Sequence, residues 1–184
     1  MKPVFKTELE SGCALILGGA KSGKSSLALR LCNDLNLEKI FIATAESKDK
    51  EMEERISRHR KERGEIWITA EEPLDVADRI HDLDRVDRVI LIDCLTLWLS
   101  NQFIKQKMDI GEIHVAIEEL AGSLEEAKGV VVAVSNDVSM GIVPENRLGR
   151  EFRDTAGYMN QRIGEIAKKV VITFAGFPMI LKDE

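Results

Sequence analysis

The chain has 184 residues, of which 44% are hydrophobic and 32% charged, and a formal net charge of -6. That length and balance fit one soluble domain with a real core. The negative charge argues against nucleic acid as the main partner. No apolar run reaches the length of a membrane span, and residues 1–10 lack the continuous apolar segment of a signal peptide, so the cytoplasm is the expected home. Residues 1–10 fit an N-terminal extension, mobile if nothing ties it down, and 11–184 a single domain.

In chain order, residues 13–17 form a short apolar run that reads as a buried strand. A glycine-rich stretch follows at 18–25. Residues 26–32 then read as a helix, with Leu27 and Leu31 four apart. Residues 39–44 predict a second strand. Residues 48–62 are highly charged, with Met52, Ile56 and His59 on one helical face. Residues 66–69 predict a third strand. Pro73 fits the first turn of the next helix, with Leu74, Ala77 and Ile80 or His81 on its buried side. Residues 88–93 read as a strand ending in a carboxylate, followed by a helical region that includes 113–127. Residues 130–134 are a β-branched central strand. Phe152, Ala156, Met159, Ile163 and Ile166 are spaced by three and four, as on an amphipathic helix. Strands at 170–174 and 179–181 close the chain as a hairpin around residues 175–178. Strands that alternate with helices and are apolar throughout predict an α/β fold with a mostly parallel sheet. Cys13, Cys32 and Cys94 are isolated and read as small buried hydrophobes. Trp67 and Trp98 read as packing residues, and His81 and His114 as structural or surface residues.

The stretch Gly18, Gly19, Ala20, Lys21, Ser22, Gly23, Lys24, Ser25 fits G-x-x-x-x-G-K-[ST], the phosphate-binding loop of P-loop nucleotide enzymes. Glycines allow the tight turn, and the helix start adds partial positive charge. Lys24 would reach the β- and γ-phosphates and Ser25 would ligate Mg²⁺. Asp93, at the end of an apolar strand, suits a Walker B carboxylate that holds the same metal, although acidic residues after strands are common.

Residues 55–63 place His59 among Arg55, Arg58, Arg60, Lys61 and Arg63. The plain reading is a solvated helix face. The chemical reading is that cations keep the imidazole neutral and nucleophilic, so His59 is a candidate covalent nucleophile toward an α-phosphate. The connection after the central strand carries Asn136, Asp137, Glu145, Asn146 and Arg147. It lies where open α/β sheets bind ligands and suits substrate binding; the alternative is a surface loop with a capped helix start. Arg147, Arg150 and Arg153 either grip a phosphate together or pair with Glu145, Glu151 and Asp154.

Taken together, these blocks resemble the bifunctional adenosylcobinamide kinase / adenosylcobinamide-phosphate guanylyltransferase family of cobalamin biosynthesis. The resemblance covers about residues 13–182. It rests on residues 18–25, Ile42-Ala43-Thr44-Ala45, the run from Glu51-Met52 through Arg55-Ile56 to His59-Arg60, Trp67-Ile68-Thr69, and Asp93-Cys94-Leu95-Thr96-Leu97-Trp98. It rests also on Ser135-Asn136, on residues 140–150, on Asp154-Thr155-Ala156-Gly157 and on Asn160-Gln161. It implies a RecA-like P-loop sheet and two reactions. A nucleoside triphosphate, ATP or GTP, phosphorylates the aminopropanol hydroxyl of adenosylcobinamide. GTP then donates GMP to that phosphate through a GMP-histidine intermediate, which falls on His59. The implied nucleotide contacts fall on residues 18–25, on Thr44, Ala45 and Glu46, on Arg60, Lys61, Glu62 and Arg63, and on Glu71 and Asp93. A homotrimer is implied as well. The chain departs from the usual pattern at Asp137 and Ser139, where Glu and Gly are common, and at Arg58, where some members carry a second histidine. Two other functions fit parts of the pattern: a P-loop kinase for another small alcohol, and a non-enzymatic nucleotide switch.

Overall fold

In the computed structural model, residues 11–46 and 63–184 are described. The expected extension 1–10 and the expected charged helix at 48–62, with His59, Arg60, Lys61 and Glu62, lie outside them. Strands apolar on both faces need cover on both, and the helices supply it. The sheet contains β1 (Gly12–Gly18), β2 (Glu38–Ala43), β3 (Trp67–Glu71), β4 (Arg88–Asp93), β5 (Val130–Asn136), β6 (Lys169–Phe174) and β7 (Phe177–Asp183). The strand order is β3-β2-β4-β5-β1-β6-β7, and every pair is parallel except β6 with β7. The helices are α1 (Lys24–Asn33), α2 (Val76–Leu83), α3 (Leu95–Asn101), α4 (Ile110–Glu125) and α5 (Arg147–Ile166); a π-helical turn, Gln102–Gln106, continues α3.

Alternation along each strand divides the core in two. On one face Leu15, Ile40, Ile42, Ile90, Ile92, Val131 and Ala133 pack with Val76, Ile80, Trp98, Ile113, Ile117, Met159 and Ile163 of the helices. On the other, Ile16, Phe41, Leu91, Val132 and Val134 pack with Leu27, Ala28 and Leu31 of α1 and with Trp67. The three cysteines are buried in these layers, as expected. Both tryptophans are core residues whose indole N–H is hydrogen-bonded, Trp67 to Asn33 Oδ1 at 3.1 Å and Trp98 to Leu74 O at 2.7 Å.

Three local expectations are corrected. Pro73 is not in the first turn of α2. It precedes the N-cap, Asp75, and the Glu72 carboxylate accepts from the backbone N–H of Leu74 and Asp75 at 3.1 and 2.9 Å. The buried stripe of α2 is therefore Val76 and Ile80, and His81 is exposed. The closing hairpin is tighter than 175–178. Only Ala175 and Gly176 turn it, both with positive φ (50° and 84°), as a two-residue hairpin demands. Pro178 lies inside β7, where an edge strand tolerates it. Among the described residues no helix is long and apolar enough to cross a membrane.

The parallel register brings every functional strand end to one edge. Gly18 is aligned with Asn136 on one side and Thr173 on the other, and Ala43 lies between Glu71 and Asp93.

Candidate nucleotide site

The glycine loop leaves β1 and enters α1 through two left-handed backbone positions. Lys21 has φ 57° and Gly23, the N-cap of α1, has φ 97°. Among the described residues no side chain caps this helix start, so its N–H groups point to where an anion would sit. Gly18 has no alternative residue for a steric reason. A Cβ there would stand 2.3 Å from Thr173 Oγ1 and 2.4 Å from Ser22 Oγ. Lys24 is buried, and its Nζ donates to Gly19 O at 3.0 Å, arching over the loop.

The loop is braced from the far end of the chain. Ser22 Oγ and Thr173 Oγ1 are 2.7 Å apart, Thr173 Oγ1 donates to Leu17 O at 3.1 Å, and Gly176 N donates to Ser22 O at 2.9 Å. Sequence reading missed this role of β6 and the hairpin turn. Thr173 is one polar residue at the end of an apolar strand, and nothing local announces its partner.

On one side of the loop a small hollow of about 20 Å³ lies among Ser25, Ser26, Phe41, Arg63 and Asp93. Ser25 and Asp93 thus face one space, and a hydroxyl with a carboxylate is a hard-oxygen set that fits Mg²⁺ completed by phosphate and water. Arg63 places its Cζ 3.6 Å from the Phe41 ring centroid, a cation–π contact that brings its guanidinium to the same hollow. Glu46 is ion-paired with Lys105, and Glu71 ends β3 beside Ala43. Thr44 is fully buried. Its hydroxyl donates to Cys94 O at 2.8 Å and accepts from Cys94 N at 2.7 Å, while Asn101 Nδ2 donates to Thr44 O at 3.0 Å and Pro73 O at 3.1 Å. The ends of β2 and β4 are held together there.

On the other side, the end of β5 is fixed by Thr96, whose Oγ1 accepts from Asn136 N at 2.7 Å, and by Asn160, whose Nδ2 donates to Asn136 O at 3.2 Å. Asp137 N donates to Gly18 O at 3.2 Å, so this residue adjoins the loop. Its Oδ1 accepts from Ser139 N at 2.8 Å and Ser139 Oγ at 2.5 Å. Further along, the capped helix start is what the geometry shows. Asn146 Oδ1 accepts from Gly149 N at 2.6 Å as the N-cap of α5, and Arg147 pairs with Glu151 at 2.6 Å. Glu145 is exposed, and its backbone carbonyl accepts from Arg150 at 2.6 Å. Asn136 and Asp137 are therefore at the loop; Asn146 and Arg147 serve the helix.

The family described as cobinamide kinase / cobinamide phosphate guanyltransferase matches residues 14–181. The chain belongs to this family. It is 43% identical over 173 residues to the bifunctional adenosylcobalamin biosynthesis protein CobP of Pseudomonas aeruginosa, covering 92% of this chain and 97% of that protein. It is 35% identical over 180 residues to the bifunctional adenosylcobalamin biosynthesis protein CobU of Escherichia coli, covering 91% and 98%. Among solved structures it is similar to the flagellar accessory protein FlaH from Methanocaldococcus jannaschii, with TM-score 0.51, 14% identity and coverage of 94% and 79%. It is also similar to the RadB recombinase, with TM-score 0.50, 14% identity and coverage of 88% and 73%. The last two likenesses concern the fold alone, the P-loop sheet that the sequence implied. The family match, by contrast, spans both the loop at 18–25 and His59.

Proposed function

We propose that the chain carries out both activities of its family at this loop. In the first, the aminopropanol hydroxyl oxygen of adenosylcobinamide attacks the γ-phosphorus of ATP or GTP. The bond to the β,γ-bridging oxygen breaks, a nucleoside diphosphate leaves, and the hydroxyl proton passes to solvent. In the second, a ring nitrogen of His59 attacks the α-phosphorus of GTP and pyrophosphate leaves. A phosphate oxygen of adenosylcobinamide phosphate then attacks that phosphorus, the P–N bond breaks, and adenosylcobinamide-GDP forms. The covalent step divides one hard displacement into two.

The observation that carries this reading is the single family match across the loop and His59. The geometry supports the roles. The uncapped start of α1 and Lys24 hold phosphate charge. Ser25 and Asp93 would hold Mg²⁺, which neutralises charge on the transferred group when bound. Arg63 stands beside them, and Arg60, Lys61 and Glu62 complete the proposed nucleotide contacts with Thr44, Ala45, Glu46 and Glu71. Mass spectrometry of products tests the reading: adenosylcobinamide with ATP should give the phosphate, and with GTP also adenosylcobinamide-GDP. Absence of any phosphorylated cobinamide would refute it.

We also infer that the chain assembles with copies of itself, as a trimer. The support is β7, an edge strand that exposes Met179, Ile180 and Leu181. An apolar open edge of this kind is normally covered. Light scattering gives the mass directly, and a monomer would exclude the assembly.

A further inference from the structure

The loop has a second hollow on the side away from Asp93. It is about 390 Å³ in volume and lies between Gly19 to Ser22 and the turn after β6, with Asp137, Met140 and Phe174 around it. That volume falls in the range of small-molecule sites. Two large apolar side chains are held in water at its edge, Met140 at 74% and Phe174 at 49% exposure. Ile142, two residues beyond Met140, is 97% exposed. Apolar groups kept in the open at the mouth of a largely apolar hollow are those a ligand covers.

The position decides between ligands. Ser25 and Asp93 mark the metal side of the loop, and they line the other hollow. Lys24 Nζ is drawn to Gly19 O, so its positive charge stands over the limb that walls this one. A phosphoryl acceptor must approach from outside the nucleotide, opposite the leaving oxygen. This hollow opens beside Gly19 and Ala20 of the loop, where such an alcohol would enter. Asp137 supplies the polar contact. Ser139 holds its Oδ1 twice, which fixes the carboxylate and leaves Oδ2 to accept from a hydroxyl.

We propose that this hollow is the acceptor subsite. It takes the aminopropanol arm of adenosylcobinamide, with Asp137 accepting the hydrogen bond of the hydroxyl. The corrin ring, too large for the hollow, rests on Met140, Ile142 and Phe174. The proposal rests on the kinase reading above.

Met140→Ala, Phe174→Ala and the double variant test it. In steady-state phosphorylation, the double variant should raise KM for adenosylcobinamide about tenfold, with KM for ATP changed less than about twofold. Asp137→Asn should instead lower kcat. Far-UV circular dichroism and thermal melting of the Met140 and Phe174 variants should match the parent, which shows that they fold. A rise in KM for ATP would assign the hollow to the nucleotide and overturn the proposal, as would no change in either constant. If the parent enzyme makes no cobinamide phosphate, the kinase reading fails. Equilibrium dialysis of adenosylcobinamide against parent and double variant then decides the subsite: equal binding, or none, overturns it.

Discussion

Ser22 Oγ and Thr173 Oγ1 are 2.7 Å apart across 151 residues of sequence, in the space that any side chain on Gly18 would need. The phosphate loop is thus not a freestanding turn. Its shape is set by β6 and by the backbone of Gly176 in the closing hairpin.

This relationship makes Thr173 a structural determinant of nucleotide binding. Thr173→Val removes the hydroxyl and leaves Ser22 Oγ and Leu17 O without their partner, a loss of about 1–3 kcal/mol. Gly18→Ala forces two buried oxygens apart and should cost at least as much. Denaturant unfolding gives the stability change, and titration with a non-hydrolysable nucleotide should show weaker binding. Thr173→Ser keeps the oxygen and should retain most of both.

Thr44 makes a second tie. Thr44→Val should destabilise the protein by about 1–3 kcal/mol, because Cys94 N loses its acceptor inside the core, while Cys94 O keeps the N–H groups of Leu97 and Trp98. Thermal melting of the valine and serine variants measures it, and serine should be the milder of the two. If valine melts at the parent temperature, the tie contributes nothing.

The fold was largely legible because burial writes itself locally. Residues 130–134 are apolar on both faces and lie in the middle of the sheet. Leu27 and Leu31 fall on the covered side of α1. The glycine loop was legible because its chemistry is contiguous. What was not legible depends on distant partners. Thr173 and Gly176 brace the loop through contacts that no periodicity encodes. Pro73 misled because a proline before a helix fits either N1 or the preceding turn, and the Glu72 carboxylate decides for the turn. Asn146 and Arg147 have residue types that suit a ligand or a helix start equally well; the structure shows Asn146 capping α5 and Arg147 paired with Glu151 on it.

The cysteines predict a pH dependence. Burial pushes the thiols of Cys13, Cys32 and Cys94 up to about 12, with Asp93 adding to the rise at Cys94 and Lys39 opposing it at Cys32. The unfolded thiols ionise from near pH 9 and the folded ones do not. Their contribution to stability is therefore complete below about pH 9 and is lost as pH rises toward about 12. Unfolding free energy should fall across that window, and less steeply in a Cys13→Ala variant. A thiol reagent at pH 8 should label the native protein slowly and the unfolded protein fast. Fast labelling of all three in the native state would contradict the burial.

If Lys24 supplies charge to the phosphates as proposed, Lys24→Ala should reduce phosphorylation of adenosylcobinamide by about 10²-fold or more. GMP-enzyme formation should fall too if both reactions use this loop. An unaffected guanylyl transfer would place the second nucleotide elsewhere.

The central claim is that one P-loop protein performs a phosphoryl transfer and, through His59, a nucleotidyl transfer. The most direct measurement is incubation of the parent and His59→Ala with GTP radiolabelled at the α-phosphate, followed by acid and base treatment of the protein. The parent should carry an acid-labile, base-stable label, and His59→Ala none while it still phosphorylates adenosylcobinamide with ATP. An unlabelled parent that is an active kinase, or a labelled His59→Ala variant, would contradict the account.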